Sequence, residues 1–292
     1  MRQSVRWVAF CGWLAMAALA GFARAQTAGA LELTSALGRK LYALPDDAAE
    51  TTAKKNLAAD PKNLSLVLAL SKAQAARRQY KEAVATDTAG LAIDPQNADL
   101  LLERGHRELG LREFAAARKD LELATKVKKD MADAYYHLGL AHYFVGEFDA
   151  AAVAFSRARD LREKTDMDNI VDDTNWLYVS LRRAGQDGEA AEALTRVPKD
   201  TTATGHPAIY LRLVKLEQGQ SSPQEAQAPK PAGPDDTEGE LSYNTTSYGV
   251  GNWYLYQGND PAKAAGIFRS VVQNEAWNSW GFIGSEVELG RK

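Results

Sequence analysis

The chain has 292 residues, of which 45% are hydrophobic and 25% are charged, and its formal net charge is −3. A mildly acidic chain lacks the basic surface that phosphate backbones require, so we exclude nucleic acid as a partner. Ala and Leu are abundant and only 10 residues are proline, which favours helices in the body of the protein.

The first 25 residues have the organisation of a secretory signal peptide. Arg2 and Arg6 precede an apolar run from Trp7 to Gly21, and Ala23-Arg24-Ala25 is a small-x-small cleavage site. We therefore expect cleavage after Ala25 and export, with a periplasmic location. The alternative is an uncleaved anchor, although an apolar run of about 15 residues is shorter than the roughly 20 that span a bilayer. We expect no transmembrane segment in the mature chain.

The only cysteine, Cys11, lies inside this apolar run, so the chain that remains after cleavage has none. Its absence excludes disulfides, thiolate metal ligands and thiol catalysis from the mature chain. Cleavage also removes three arginines and no acidic residue, which takes the net charge from −3 to −6. The exported body is expected to be acidic.

A 34-residue period organises the next part of the chain. Four residue classes keep this period, namely Ala83, Ala117 and Ala151; Gly105 and Gly139; Pro61 and Pro95; and Tyr80, Phe114 and Phe148. Within each period, apolar residues recur at helical spacing on both sides of a turn, which predicts two antiparallel helices. One pair of helices cannot bury its apolar faces alone, so successive pairs are expected to stack into an all-α solenoid.

These residues resemble the tetratricopeptide repeat (TPR). The best match is Tyr135-x2-Leu138-Gly139-x3-Tyr143, followed by Gly146, Ala151, Phe155 and Ala158. Full copies are predicted at 64–97, 98–131 and 132–165, and a degenerate copy at about 30–63. The resemblance implies an all-α, right-handed superhelical solenoid of antiparallel helix pairs.

Beyond residue 160 the period is interrupted by five inserted residues around 164–169. A fourth copy is predicted at about 171–200 and the first helix of a fifth at 206–219, so that 26–219 forms one repeat array. Residues 220–243 contain four prolines and predict a mobile surface loop. Residues 244–292 predict one more repeat and a single capping helix with a polar outer side. No strand is predicted.

No motif in the sequence indicates catalysis. His137 and His142 are five residues apart and point in different directions on a helix, so they cannot share a metal ion, while His106 lies one repeat earlier. The adjacent acids at 172–173 and 235–236 are not facing carboxylate pairs. No nucleophile-elbow, zinc-protease or phosphate-loop motif is present. We expect no metal, no cofactor and no enzymatic activity.

The resemblance also implies a partner-binding surface, because the first helix of each tetratricopeptide unit lines a concave face. A helical wheel places the relevant positions within roughly 100° of one another. Carried onto this chain, the partner-binding positions are Leu102, His106, Tyr136, Tyr143, Phe144, Asn175, Arg182, Arg183, Tyr248, Asn252 and Tyr256. Aromatic side chains beside arginine and asparagine suit protein recognition, but each ring could equally fill the core between repeats.

Two functions follow from this surface. The main hypothesis is a non-catalytic scaffold or adaptor in the bacterial cell envelope, which binds a partner protein or peptide in an aromatic-lined groove. The alternative is a periplasmic protein that binds a small ligand or glycan, with Tyr136, Tyr143, Tyr248, Trp253 and Tyr256 stacking on sugar rings.

Overall fold

The structure is a computed structural model that describes residues 29–163, 170–233 and 236–291. The predicted signal peptide at 1–25 lies outside the described residues. The described part contains one antiparallel hairpin and fourteen helices, none of which is long and apolar enough to cross a membrane. The strands are β1 (Leu31–Thr34) and β2 (Lys40–Tyr42). The helices are α1 (Ala48–Ala59), α2 (Leu64–Ala76), α3 (Tyr80–Ile93), α4 (Ala98–Gly110), α5 (Phe114–Val127), α6 (Ala132–Val145), α7 (Phe148–Arg162), α8 (Ile170–Arg183), α9 (Asp187–Leu194), α10 (His206–Glu217), α11 (Pro223–Ala226), α12 (Thr237–Tyr256), α13 (Pro261–Val271) and α14 (Trp280–Gly290).

The predicted solenoid of helix pairs is confirmed. The pairs α2–α3, α4–α5 and α6–α7 begin at residues 64, 98 and 132, which is the 34-residue period read from the sequence. Asn63 and Asn97 start the first two pairs, because their side-chain oxygens accept hydrogen bonds from backbone N–H groups in the first turn of α2 and α4. The predicted fourth copy corresponds to α8–α9, and the late repeat to α12–α13.

Small residues allow the two helices of a pair to cross closely. Ala83, Ala117 and Ala151 are each 0% exposed. A Cβ atom on Gly105 would lie 2.7 Å from Leu121 Cγ, and one on Gly139 would lie 2.7 Å from the Phe155 ring. Both distances are too short for a side chain, so the periodic glycines are required for packing.

The first half of the degenerate copy at 30–63 was predicted wrongly, because it forms the β1–β2 hairpin instead of a helix. Gly38 has a φ of 82° and closes the turn, and the Glu32 carboxylate accepts a hydrogen bond from the Lys81 N–H at 3.0 Å, at the start of α3. Leu41 is 2% exposed and joins the core. Strands of four and three residues are too short to give a clear alternating pattern.

The proline-rich segment at 220–243 is also more ordered than predicted. Ser222 and Glu225 form a capping box around the short helix α11, and Ala226 and Ala228 are buried. The Ala228 N–H donates to Thr246 Oγ1 at 2.9 Å, which ties the segment to α12. Helix α12 begins at Thr237 instead of residue 244. Pro223 is compatible with this order because it lies in the first turn of its helix.

Turns between the helices of a pair use a residue in the left-handed backbone region. Later units place Gly146, Gly185 and Gly219 there, with φ of 87°, 75° and 72°. The first two units place Arg78 and Arg112 there, with φ of 56° and 66°. A residue other than glycine is disfavoured in this region by about 1–2 kcal/mol, so the side chains of these two arginines must compensate.

Both arginines bind the other end of the array. Arg78 Nη1 donates to the Glu275 carbonyl at 2.8 Å, and Arg112 Nη2 donates to the Trp277 carbonyl at 3.0 Å. Arg39 Nη1, in the hairpin, donates to the carbonyls of Val272 and Asn274 at 2.7 Å. These contacts join residues 165 to 235 positions apart, so the array closes on itself.

Candidate partner-binding surface

The last helix, α14, packs against the first helices α4, α6 and α8, and we call the surface that these three present to α14 the inner face. The Trp280 ring centroid lies 5.2 Å from that of His106 on α4 and 6.4 Å from that of Phe144 on α6. At the other end of α14, Glu288 forms an ion pair of 2.8 Å with Arg183 on α8. Glu286 forms a second ion pair with Arg112, in the turn after α4.

The prediction that α14 is a cap with a polar outer side is wrong, because residues 281 to 286 are all buried. Two glycines allow this packing. A Cβ on Gly281 would lie 2.2 Å from the Asn244 carbonyl oxygen, and one on Gly284 would lie 2.5 Å from the Tyr248 ring. Helix α14 is therefore enclosed between α12 and the inner face.

The predicted partner-binding residues are brought together, but most of them are buried in the closed array. Tyr143 is 0% exposed, and its hydroxyl lies 3.2 Å from the Tyr248 hydroxyl, which joins α6 to α12. The other buried members are Tyr136, Phe144, Asn175 and Asn252, and the half-buried members are Leu102, His106, Arg182, Arg183 and Tyr256. The predicted open groove is thus absent from this arrangement, because α12 and α14 cover the positions that a partner would contact in an open superhelix.

Trp176 lies at the centre of the buried aromatic side chains. It is 2% exposed, and its ring centroid lies 5.3 Å from that of Tyr143, 5.9 Å from that of Phe155 and 5.9 Å from that of Tyr248. Its indole N–H points to the Tyr210 hydroxyl at 3.4 Å. Five helices, α6, α7, α8, α10 and α12, therefore meet at one side chain, and these rings form core.

A small cavity remains between α8, α10 and α12, lined by Asn175, Val179, Tyr210 and Asn252 among others. Its volume of about 10 Å³ is enough for one water molecule. A sugar ring cannot enter it, so the buried tyrosines do not form a glycan site in this arrangement.

Sequence reasoning missed Trp280, Glu286 and Glu288 as residues of the inner face. The sequence predicts only that they belong to a terminal helix, since no local pattern connects them to α4 or α8. The contacts depend on the curvature of the whole array, which a 34-residue period does not specify.

The two inner-face histidines face each other and Trp280. Their ring centroids are 4.2 Å apart, and His137 Nδ1 lies 2.7 Å from the Asp133 carbonyl oxygen. Burial lowers the pKa of His137 to about 4, and it lowers the pKa of His106 well below its ordinary value. Both imidazoles are therefore neutral in the folded protein at neutral pH.

This pair is expected to destabilise the fold at acid pH. Because the unfolded chain protonates its histidines below about pH 6.5 and the folded chain does not, their stabilising contribution is present above that pH and is lost as the pH falls towards 4. Between pH 7 and pH 5, we expect the free energy of unfolding of wild type to fall by about 1–2 kcal/mol more than that of His106→Phe. The half-buried rings are partly screened by solvent, which keeps this difference small. Urea unfolding at both pH values measures this, and equal pH dependence in the two proteins would contradict it.

Comparison with known proteins gives matches among solved structures only. No protein-family model matches the chain, and no curated protein matches it. A crystal structure of MamA is 21% identical and aligns over 59% of this chain and 90% of its own, with a TM-score of 0.46. A second MamA crystal structure is 24% identical over 54% of this chain and 87% of its own, with a TM-score of 0.47. The crystal structure of YrrB, described as a TPR protein with an unusual peptide-binding site, is 15% identical over 77% of this chain and 93% of its own, with a TM-score of 0.47.

The fold assignment depends on the chain itself. Helix pairs repeat every 34 residues, a glycine of the first helix packs on a large side chain of the second, and a buried alanine recurs at the crossing. From Leu109 to Ile283 the pairs stack through one apolar core, and Val67, Leu91 and Leu100 form a neighbouring core between α2, α3 and α4. The protein is therefore a helical-repeat protein with the tetratricopeptide-repeat fold.

Proposed function

We propose that the protein is a non-catalytic scaffold that binds another protein or a peptide in the bacterial cell envelope. One observation carries this proposal: the inner face already holds a helix. It does so with an aromatic anchor at Trp280 and ion pairs from Arg112 to Glu286 and from Arg183 to Glu288. Helix-in-groove recognition between proteins uses the same types of contact.

The proposal assigns structural roles to the buried ionisable groups near this face. Arg162 donates to Asp173 at 2.6 Å and also binds Asp133, which joins α7, α8 and α6. Asp87 accepts a hydrogen bond from the Ser71 hydroxyl at 2.8 Å, between α3 and α2, and burial raises its pKa to about 7. Each group connects neighbouring helices, so we assign no reaction to them.

The signal-peptide pattern in the sequence supports the location in the envelope. The charged start, apolar run and small-x-small site of the first 25 residues favour cleavage after Ala25 and a periplasmic mature protein. The partner is then another envelope protein or an exported peptide.

The alternative of a glycan or small-ligand protein has less support. Of its five aromatic residues, Tyr136, Tyr143 and Tyr248 are buried, while Trp253 and Tyr256 are half-buried. Two half-buried rings do not form the stacking platform that this hypothesis requires.

Site-specific photo-cross-linking in the producing cells tests the scaffold function. A photoreactive residue replaces the half-buried Tyr256 at the edge of the inner face, and a matched one replaces the exposed Lys119 on the second helix α5. We expect a discrete cross-linked protein in the periplasmic fraction from position 256 and none from position 119. The same pattern from both positions, or no product from either, would contradict the proposal.

A further inference from the structure

A second concavity lies away from the inner face, between the second helices α7 and α9. Its volume is about 520 Å³, and it is open to solvent. Its apolar floor is formed by Ala152, Val153, Leu177, Leu181 and Ala193. Val153 is 73% exposed, more than any other large apolar side chain in the described residues. We call this concavity the α7–α9 hollow.

Arg159 also lines the α7–α9 hollow and is only 8% exposed. Its Nη1 donates to the Ala193 carbonyl at 3.5 Å, which is at the limit of a hydrogen bond, and its Nε has no partner. Among the described residues, Arg159 forms no ion pair. Asp160, Glu163 and Asp173 act on Arg159 electrostatically, but none of them hydrogen-bonds to it. A buried guanidinium without a hydrogen-bonded carboxylate is costly, so its position needs an explanation other than stability.

The repeat itself does not require a charge at this position. Thr125 and Leu91 occupy the equivalent positions one and two units earlier, at multiples of 34 residues, and each is 7% exposed. In those units the position is part of the packing between repeats. The five residues inserted after α7 interrupt the period before α9, and the residues that line the α7–α9 hollow stand on both sides of that interruption in the sequence.

Carboxylates stand at both ends of the α7–α9 hollow. Asp149 and Asp160 lie eleven residues apart on α7, a separation of about 16 Å along a helix. Glu189 and Glu192 line the α9 side. The rim also contains two exposed arginines, Arg157 and Arg196, but the four acidic residues outnumber them, so the net charge of the rim is negative. Arg196 forms an ion pair of 3.0 Å with Glu163. The hollow thus has the positive Arg159 guanidinium on its apolar floor and carboxylates at both of its ends.

We propose that the α7–α9 hollow is a second binding site, which takes a segment of another protein that crosses it from end to end. The segment places an aliphatic side chain on the floor beside Val153 and one Asp or Glu side chain on Arg159, with Lys or Arg residues on both flanks. Guanidinium and carboxylate form charge-assisted hydrogen bonds, which the terminal Nη groups of Arg159 would donate. The basic flanks pair with the acidic ends. This site is independent of the inner face.

Two peptides test the site by NMR titration of the purified protein. The probe is acetyl-Lys-Ala-Leu-Glu-Ala-Lys-amide, and its matched control has Gln in place of Glu. We expect the Glu peptide to bind at least tenfold more tightly than the Gln peptide, with chemical-shift changes at residues of α7 and α9. Equal affinities, or no binding of the Glu peptide at millimolar concentration, overturn the proposal.

The variant Arg159→Leu identifies the residue responsible. Because Leu91 fills the equivalent position, this variant is expected to fold with a melting temperature at or above that of wild type. It should bind the Glu peptide at least tenfold more weakly and should no longer distinguish the two peptides. The control Arg118→Leu, on α5 and outside the hollow, should leave both affinities unchanged. If Arg159→Leu binds like wild type, or if it lowers the melting temperature, the arginine is not a ligand-binding residue and the proposal fails. Neither result bears on the cross-linking test of the inner face.

Discussion

Replacing Trp176 with alanine is expected to lower the free energy of unfolding by about 3–5 kcal/mol. The side chain is 2% exposed and touches rings from three other helices, with Phe155 stacked at a centroid distance of 5.9 Å and an angle of 15°. Alanine would leave a cavity that rigid helices on several sides cannot close. Urea unfolding followed by circular dichroism measures the loss.

The control for this prediction is Trp176→Phe. Phenylalanine keeps an aromatic ring in the same space, although it is smaller than tryptophan and loses the indole N–H contact to Tyr210, so it should cost clearly less than alanine. A cost below about 1 kcal/mol for alanine would show that the aromatic side chains around Trp176 are not the core that joins these helices.

Replacing Arg112 with methionine is expected to have a similar effect, about 3–5 kcal/mol, for an electrostatic reason. Glu286 is 4% exposed on its side chain and would keep a buried charge without its partner. Methionine is unbranched at Cβ like arginine, so the strain from the left-handed backbone at this position stays the same. One of the contacts that close the array would be lost without any change in the repeats themselves.

A double-mutant cycle separates the two contributions. The double variant Arg112→Met with Glu286→Leu removes both charges and should recover most of the stability lost in the single variant, because apolar residues often replace a buried ion pair at little cost. Additive losses in the cycle would show that the two residues do not act as a pair, and the closure of the array would then depend on the other contacts, such as those of Arg39 and Arg183.

The repeats could be predicted from the sequence because their determinants are local. The pairs at 64 and 98 begin with a capping Asn63 or Asn97, all three full copies have a buried alanine at the crossing, and the pairs at 98 and 132 place a glycine such as Gly105 beneath a large side chain. Helix boundaries therefore follow directly from residue spacing.

The inner face was predicted only in part. Tyr136, Tyr143 and Tyr248 could be placed on one side of their helices, but the side that faces inwards in an open superhelix becomes core when the array closes. Closure depends on small rotations that accumulate over many units, and on contacts such as Arg39 to Asn274, which are 235 residues apart. No local pattern encodes these contacts.

Arg159 differs from the inner-face residues because the sequence contained a signal for it. Comparison of the three full copies shows Leu91, Thr125 and Arg159 at one position, and the charge in the third copy departs from the pattern. The 34-residue period identifies the residues that the repeat units share. A residue that departs from this pattern, as Arg159 does, identifies a position where one unit differs from the others.

Contact between the first and last units has a consequence for how this protein can change in length. An open array tolerates the duplication or loss of a unit, because each unit touches only its neighbours. Here one additional unit would rotate Trp277 away from the Tyr42 carbonyl, to which its indole N–H now donates at 3.0 Å, and would separate Glu286 from Arg112. The contact between the two ends therefore constrains the number of units in the array.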